Sequence, residues 1–203
     1  MNRRDLLKLI TTATGVAFVG SAMAYDIRPS VSLKDTDFSK DEVTFLNEIA
    51  EVIIPRTATP GAKDANVGEI MAILVSDCYT QDLQKVFREG MTTLDNEARQ
   101  AQGKDFLLLS KTDKQALLSR LDKEAKQANT ASGLDDMAMA SPNSRWPDSK
   151  KPLPHYFSLF KQLTLFGFFT SEVGGTKVLR YVPVPGKYDG NIDYKKGQTA
   201  WAT

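Results

Sequence analysis

Cysteine and histidine are almost missing from this chain: Cys78 and His155 are the only examples of each. A single cysteine forbids an intrachain disulfide and a thiolate metal cluster. Without a CxxCH run there is also no covalent attachment point for c-type haem. Glycine-rich phosphate cradles are missing too. No GxGxxG or Walker-type run occurs, so nothing supports a self-contained dinucleotide or ATP site. Net charge is close to absent, at +1 from 26 basic and 25 acidic residues. Arg3, Arg4 and Lys8 against Asp5 put +2 into the first 24 residues, so the rest is formally −1. That balance leaves no electrostatic footprint for nucleic acid or for an anionic membrane surface. The chain has 203 residues, 41% hydrophobic and 25% charged, enough for one domain with a real core.

The first 24 residues read as a leader. Asn2-Arg3-Arg4-Asp5-Leu6-Leu7-Lys8 has two consecutive arginines, one free position, two apolar residues and a lysine, the twin-arginine export pattern. A moderately apolar run follows, diluted by threonines, and Ala22 and Ala24 supply the small residues that a signal peptidase reads. Cleavage after Ala24 is expected. A membrane anchor is the competing reading, but a span needs about 20 apolar residues and this run is shorter. The twin-arginine translocase carries proteins already folded, usually with a cofactor, and this chain shows no cofactor motif. The cofactor is therefore expected in a partner that travels with it.

The remainder, 25–203, is expected to be one all-α domain of about five helices. Tyr25 to Phe38 reads as an extended arm. Ser39 and Glu42 have capping-box spacing, and Phe45, Leu46, Ile49 and Ile53 recur at helical steps behind them. Pro55 stops that helix. Thr59-Pro60-Gly61-Ala62 turns the chain, and Asp64 is the expected cap of a second helix carrying Val67, Ile70, Met71 and Leu74. The stretch from Glu51 to Val67 is thus a scaffold corner. A third helix starts after Thr80 and stops at Gly103, and a fourth starts after Ser110. Residues 129–151 read as a long irregular excursion, which in a compact domain is functional or flexible. The last helix, from Tyr156 to about Val173, is apolar nearly all round, so it is central to the core or covered by something else. Gly174-Gly175 ends it, and the tail through Pro185 and Gly186 reads as an extended strap.

Candidate chemistry is thin. His155 has no second histidine or cysteine to support a base or ligand role, so a structural or surface histidine is expected. Asp135, Asp136, Asp148, Asp189 and Asp193 offer no contrast of surroundings that would push two pKa values apart. Met137 and Met139 are weak copper-ligand candidates without neighbouring His or Cys. Cys78 can bridge to another chain or act as a small buried hydrophobe, and burial is expected.

Several separate stretches, in order, resemble the gluconate 2-dehydrogenase subunit 3 family. They are the leader, IIPRTATPGAKDANV (53–67), FREGMTTLDNEARQAQGKDFLLLS (87–110), LFKQLTLFGFFTSEVGG (159–175) and YVPVPGKYDGN (181–191). The resemblance implies a non-catalytic small subunit. Its partners would be a large FAD dehydrogenase subunit of glucose-methanol-choline type and a multihaem cytochrome c subunit that takes the electrons. The small subunit would escort the folded flavin subunit to the periplasm, in a membrane-associated complex. One departure is Asn191, where many relatives carry a cysteine. The expected partner contacts are Pro55, Pro60, Gly61, Trp146, Phe168, Phe169, Tyr181, Pro185, Gly186 and Tyr188. The rival readings are a stand-alone exported enzyme with a site near His155, and an exported binding protein.

Overall fold

The computed structural model describes residues 36–134, 152–184, 186, 191–193 and 195–202. The fold is all-α. Its α-helices are α1 (Lys40–Ile53), α2 (Val67–Cys78), α3 (Gln81–Gln102), α4 (Lys111–Ala131) and α5 (Tyr156–Thr170). Short 3-10 turns occupy 62–65 and 106–108, and a π-turn spans 174–178. Among the described residues the only β pairing is an isolated bridge between Arg180 and Trp201.

The helix starts follow local chemistry. Ser39 accepts from the Glu42 N–H at 3.2 Å while Glu42 accepts from the Ser39 N–H at 2.7 Å, a reciprocal cap that satisfies two orphan donors. Ser110 caps α4 through the Asp113 N–H. Gly103 ends α3 in the left-handed region, its N–H donating to the Arg99 carbonyl. Two expected caps differ. Thr80 occupies the cap position of α3 without a side-chain bond, and Asp64 does not cap α2. Asn66, at φ 50°, starts α2, and the Asp64 carboxylate turns back into the loop instead. Helix α4 runs on through Asn129 to Ala131, so the first residues of the expected 129–151 excursion are helical, and 135–151 lie outside the described residues. Helix α5 stops at Thr170, where the Ser171 hydroxyl donates to the Phe168 carbonyl and accepts from the Gly174 N–H. Gly174 and Gly175 therefore belong to the π-turn and do not terminate α5 directly.

Among the described residues, helix α5 touches each of the other four α-helices. Phe157, Phe160, Leu163, Gly167 and Phe168 form its buried side. Phe160 meets Phe87 of α3 edge to face at 4.8 Å, and Phe87 in turn meets Phe38 at 6.2 Å. Each such pair adds about 0.5–1.5 kcal/mol beyond area burial. Leu46 and Ile49 of α1, Met71 and Val75 of α2, Leu94 of α3 and Leu121 of α4 complete the core. Leu107 and Leu108 project outward while Phe106 and Leu109 turn in.

Close helix approach depends on two glycines. Gly68 of α2 lies against Asn47 of α1, its N–H donating to the Asn47 side chain at 2.8 Å. Gly90 of α3 faces Tyr156 of α5, where a Cβ would stand 2.5 Å from the tyrosine Cβ. Alanine at 90 gains about 1 kcal/mol of helix propensity. It also overpacks a contact that no flexible tip can relieve, at a cost of about 1–3 kcal/mol. Gly90→Ala is therefore expected to lower the urea midpoint. Gly175→Ala, with nothing within 4 Å of its Cβ position, is expected to stay within about 0.5 kcal/mol of the parent.

Candidate partner interface

The corner between α1 and α2 is fixed by two carboxylates. Glu51 accepts from the Arg56 N–H at 2.9 Å with one oxygen and from the Lys63 N–H at 3.0 Å with the other. Asp64 accepts from the Gly61 N–H at 2.8 Å and holds the Arg56 guanidinium, whose Nε donates at 2.9 Å. The Ala62 N–H closes the loop on the Ile54 carbonyl. Gly61 is buried in this clamp: a Cβ there would sit 2.5 Å from the Arg56 nitrogen and 2.6 Å from the Glu51 carboxylate. Behind the corner, Glu48 joins Lys63 and the buried Lys114. Burial alone would raise the Glu48 pKa, but the two lysines outweigh it and hold the carboxyl below its usual range. Outside the clamp, Arg56, Thr57, Thr59, Pro60, Asp64, Val173 and Lys177 line an open groove of about 400 Å³.

A second feature lies on the outer side of α5. Leu165, Phe166 and Phe169 are 40%, 54% and 40% exposed, while Gly167 faces Ile70 and Val67 of α2. Beyond the helix the strap continues with exposed Tyr181, Val182, Val184, Ile192 and Trp201. Among the described residues, only Leu107, Leu108 and Leu153 are large exposed apolar side chains before residue 165. Among the described residues, apolar exposure is therefore concentrated in the C-terminal part of the chain. Among the described residues the two ends of the strap meet at Arg180 and Trp201. The Arg180 N–H donates to the Ala200 carbonyl, the Ala202 N–H donates to that of Arg180, and the Arg180 guanidinium stacks on Trp201 at 4.1 Å. A separate groove of about 580 Å³, between the start of α1 and α3, has Phe45, Met91, Leu107 and Leu108 in its lining. It is flanked by the Arg88–Glu42 and Arg99–Asp105 ion pairs.

The expected contact residues divide accordingly. Phe169, Tyr181 and Gly186 are exposed, and Pro55 and Pro60 are half-buried. Two expectations need correcting. Phe168 is 1% exposed because it sits on the α5 side that faces the core, and Gly61 is enclosed by the Glu51–Arg56 clamp. Neither presents a surface to a partner. Trp146, Pro185 and Tyr188 lie outside the described residues, as do Arg3, Arg4, Leu6, Leu7, Lys8, Ala22 and Ala24. So do Asp135, Asp136, Met137, Met139, Asp148 and Asp189, whereas Asp193 is exposed. Cys78 is also corrected. It is exposed, because it falls at the last position of α2, past the buried Val75.

His155 is the N-cap of α5. Its Nδ1 accepts from the Phe157 N–H at 3.2 Å, its own N–H donates to Asn129 at 3.0 Å, and its ring stacks on Tyr156. The buried Asn129 bridges onward to Ser158, joining the end of α4 to the start of α5. Tyr156 donates to Glu97 at 3.1 Å, and Arg120 spans Glu97 and Glu124. Burial first, then Glu97, pushes the Tyr156 hydroxyl pKa upward, so the phenol stays protonated. Burial lowers the His155 pKa against the opposing pull of Glu124 and Glu97. The Asn129, Tyr156 and Arg120 side chains here each bond to a neighbouring element, tying α3, α4 and the start of α5 together. Among the described residues, no three His, Cys, Asp or Glu side chains converge in a way that could hold a metal ion, and no helix is long and apolar enough to cross a membrane.

The family model for gluconate 2-dehydrogenase subunit 3 matches residues 40–186, from the first residue of α1 into the strap. The chain belongs to that family. No curated protein and no solved structure matches it.

The cap geometry gives a pH prediction. The folded pKa of His155 lies below the unfolded value of about 6.5. Its stabilising contribution is then complete above about 6.5 and is lost as pH falls from there through the folded value. Asparagine keeps a capping oxygen and does not titrate. His155→Asn is therefore expected to show a flatter melting-temperature profile than the parent between about pH 7.5 and 5.5. Identical slopes would refute the assignment.

Proposed function

We propose that this chain is the non-catalytic small subunit of an exported, membrane-associated, FAD-dependent dehydrogenase acting on a sugar, sugar acid or polyol. FAD resides in a large subunit of glucose-methanol-choline type, and a multihaem cytochrome c subunit takes the electrons onward. The twin-arginine leader on the small subunit carries the folded pair to the periplasm. Family membership over residues 40–186 is the observation that carries this reading. The apolar side of α5 and the strap support it, since a subunit needs a surface of that kind. The second role is stabilisation: a chain that binds only the folded flavoprotein shifts its folding equilibrium by mass action.

The stand-alone enzyme reading is less well supported. A general base must offer a free lone pair to its substrate, and the His155 Nδ1 is already the acceptor that caps α5. Two outcomes separate the readings. The chain purified alone is expected to be colourless and inactive towards sugars with a dye acceptor; turnover under those conditions favours the enzyme. Changing Arg3 and Arg4 together to lysine is expected to strand a co-expressed flavin subunit in the cytoplasm, read by fractionation. Undiminished export of that subunit would defeat the escort role.

A further inference from the structure

Lys177 stands on the lining of the corner groove without an evident task. It is exposed, and among the described residues its side chain makes no hydrogen bond or ion pair. Arg56 lines the same groove with its side chain 68% exposed. Its Nε and one terminal nitrogen are held by Asp64, which fixes the plane of the guanidinium. Its Nη1 has no partner among the described residues. The Thr57 and Thr59 hydroxyls bond each other at 3.4 Å, which leaves one of them an O–H to donate, on a loop braced from behind by Glu51. The one acid in the lining, Asp64, is already engaged by Arg56 and the Gly61 N–H.

We infer that this groove receives a carboxylate, the side chain of an Asp or Glu in an acidic segment of the flavin subunit; the inference rests on the subunit reading above. A guanidinium held in a fixed plane, an ammonium and a hydroxyl donor suit a carboxylate, and charge-assisted bonds to it are the strong ones. The clamp has already ordered the loop, so little freedom is lost on docking. The groove is open to water, where an isolated ion pair is worth little, so a free carboxylic acid gains little there. A carboxylate delivered on a protein surface is different. The surrounding interface excludes water and holds the group in register, and charge pairs then govern association rate and specificity. Val173, on the groove lining, lies four residues beyond Phe169 in the chain, past the end of α5 at Thr170, near enough along the backbone for one partner to span both.

The test uses the full chain and the flavin subunit that copurifies with it, with affinity measured by interferometry at low and moderate salt. Lys177→Glu is expected to weaken binding by about ten- to a hundredfold and to reduce the salt dependence of association. Lys177→Arg should retain the parental affinity. The isolated Lys177→Glu chain should melt with the parent, since the side chain has no polar contact to lose. A partner acid whose change to lysine restores binding to Lys177→Glu would locate the contact. Parental affinity and salt response in Lys177→Glu would overturn the inference and leave the subunit reading intact. Failure of the parent chain to bind any flavin subunit would overturn both.

Discussion

The relation of α1 to α2 rests on two carboxylates that point back into the loop between them. Pro55 and Pro60 bring no amide donors, and the buried Gly61 N–H would be costly to strand, while those of Arg56 and Lys63 face water. Glu51 takes the Arg56 and Lys63 N–H groups, and Asp64 takes that of Gly61 and also holds the Arg56 guanidinium. The arrangement admits no side chain at 61, which is why glycine stands there. Once the corner is set, Gly68 can lie on Asn47, and α2 presents Val67 and Ile70 to the small face of α5 at Gly167.

That constraint decides which side of α5 is left over. The helix is apolar nearly all round, but a clamped neighbour can cover only the side bearing Gly167 and Phe168. Leu165, Phe166 and Phe169 then face outward by the helical period alone. The same clamp braces Arg56 and the threonines beside Val173 and Lys177. A stability device on the inside of the corner and the proposed docking groove on its outside would thus be consequences of one set of hydrogen bonds.

Much of the fold is legible in the sequence, because capping boxes, prolines and three-to-four spacing act locally. Ser39, Pro55, Gly103 and Ser110 mark their helix ends as written. Asp64 misleads because an Asp before an apolar run has two uses, and the choice depends on Arg56 and Gly61 folding over it. Phe168 and Phe169 are equivalent in composition, and only the rotation of α5 separates buried from exposed. Gly167 was the available signal, since a small residue within a helix marks the side where another helix comes close. Gly90 carried the same message for α3 and Tyr156. The Asn129 bridge was not readable, because its partners lie on the far side of residues 135–151 in the sequence.

Magnitudes limit what the apolar side of α5 can do by itself in the proposed complex. Full burial of one large apolar side chain is worth about 1.5–3 kcal/mol, and Leu165, Phe166 and Phe169 have 40–54% of their exposure left to lose. Together they supply about 3 kcal/mol. A micromolar complex needs about 8 kcal/mol net, after several more are lost to immobilisation. Helix α5 alone therefore cannot hold a folded partner through export. The deficit has to be met by area and by directed polar contacts. Tyr181, Val182, Val184 and Trp201 on the strap offer the first, and the braced groove beside Val173 offers the second. The three features are consecutive in the chain from residue 165 onward, apart from the corner itself. The corner earns its place because Glu51 and Asp64 hold it still before any partner arrives.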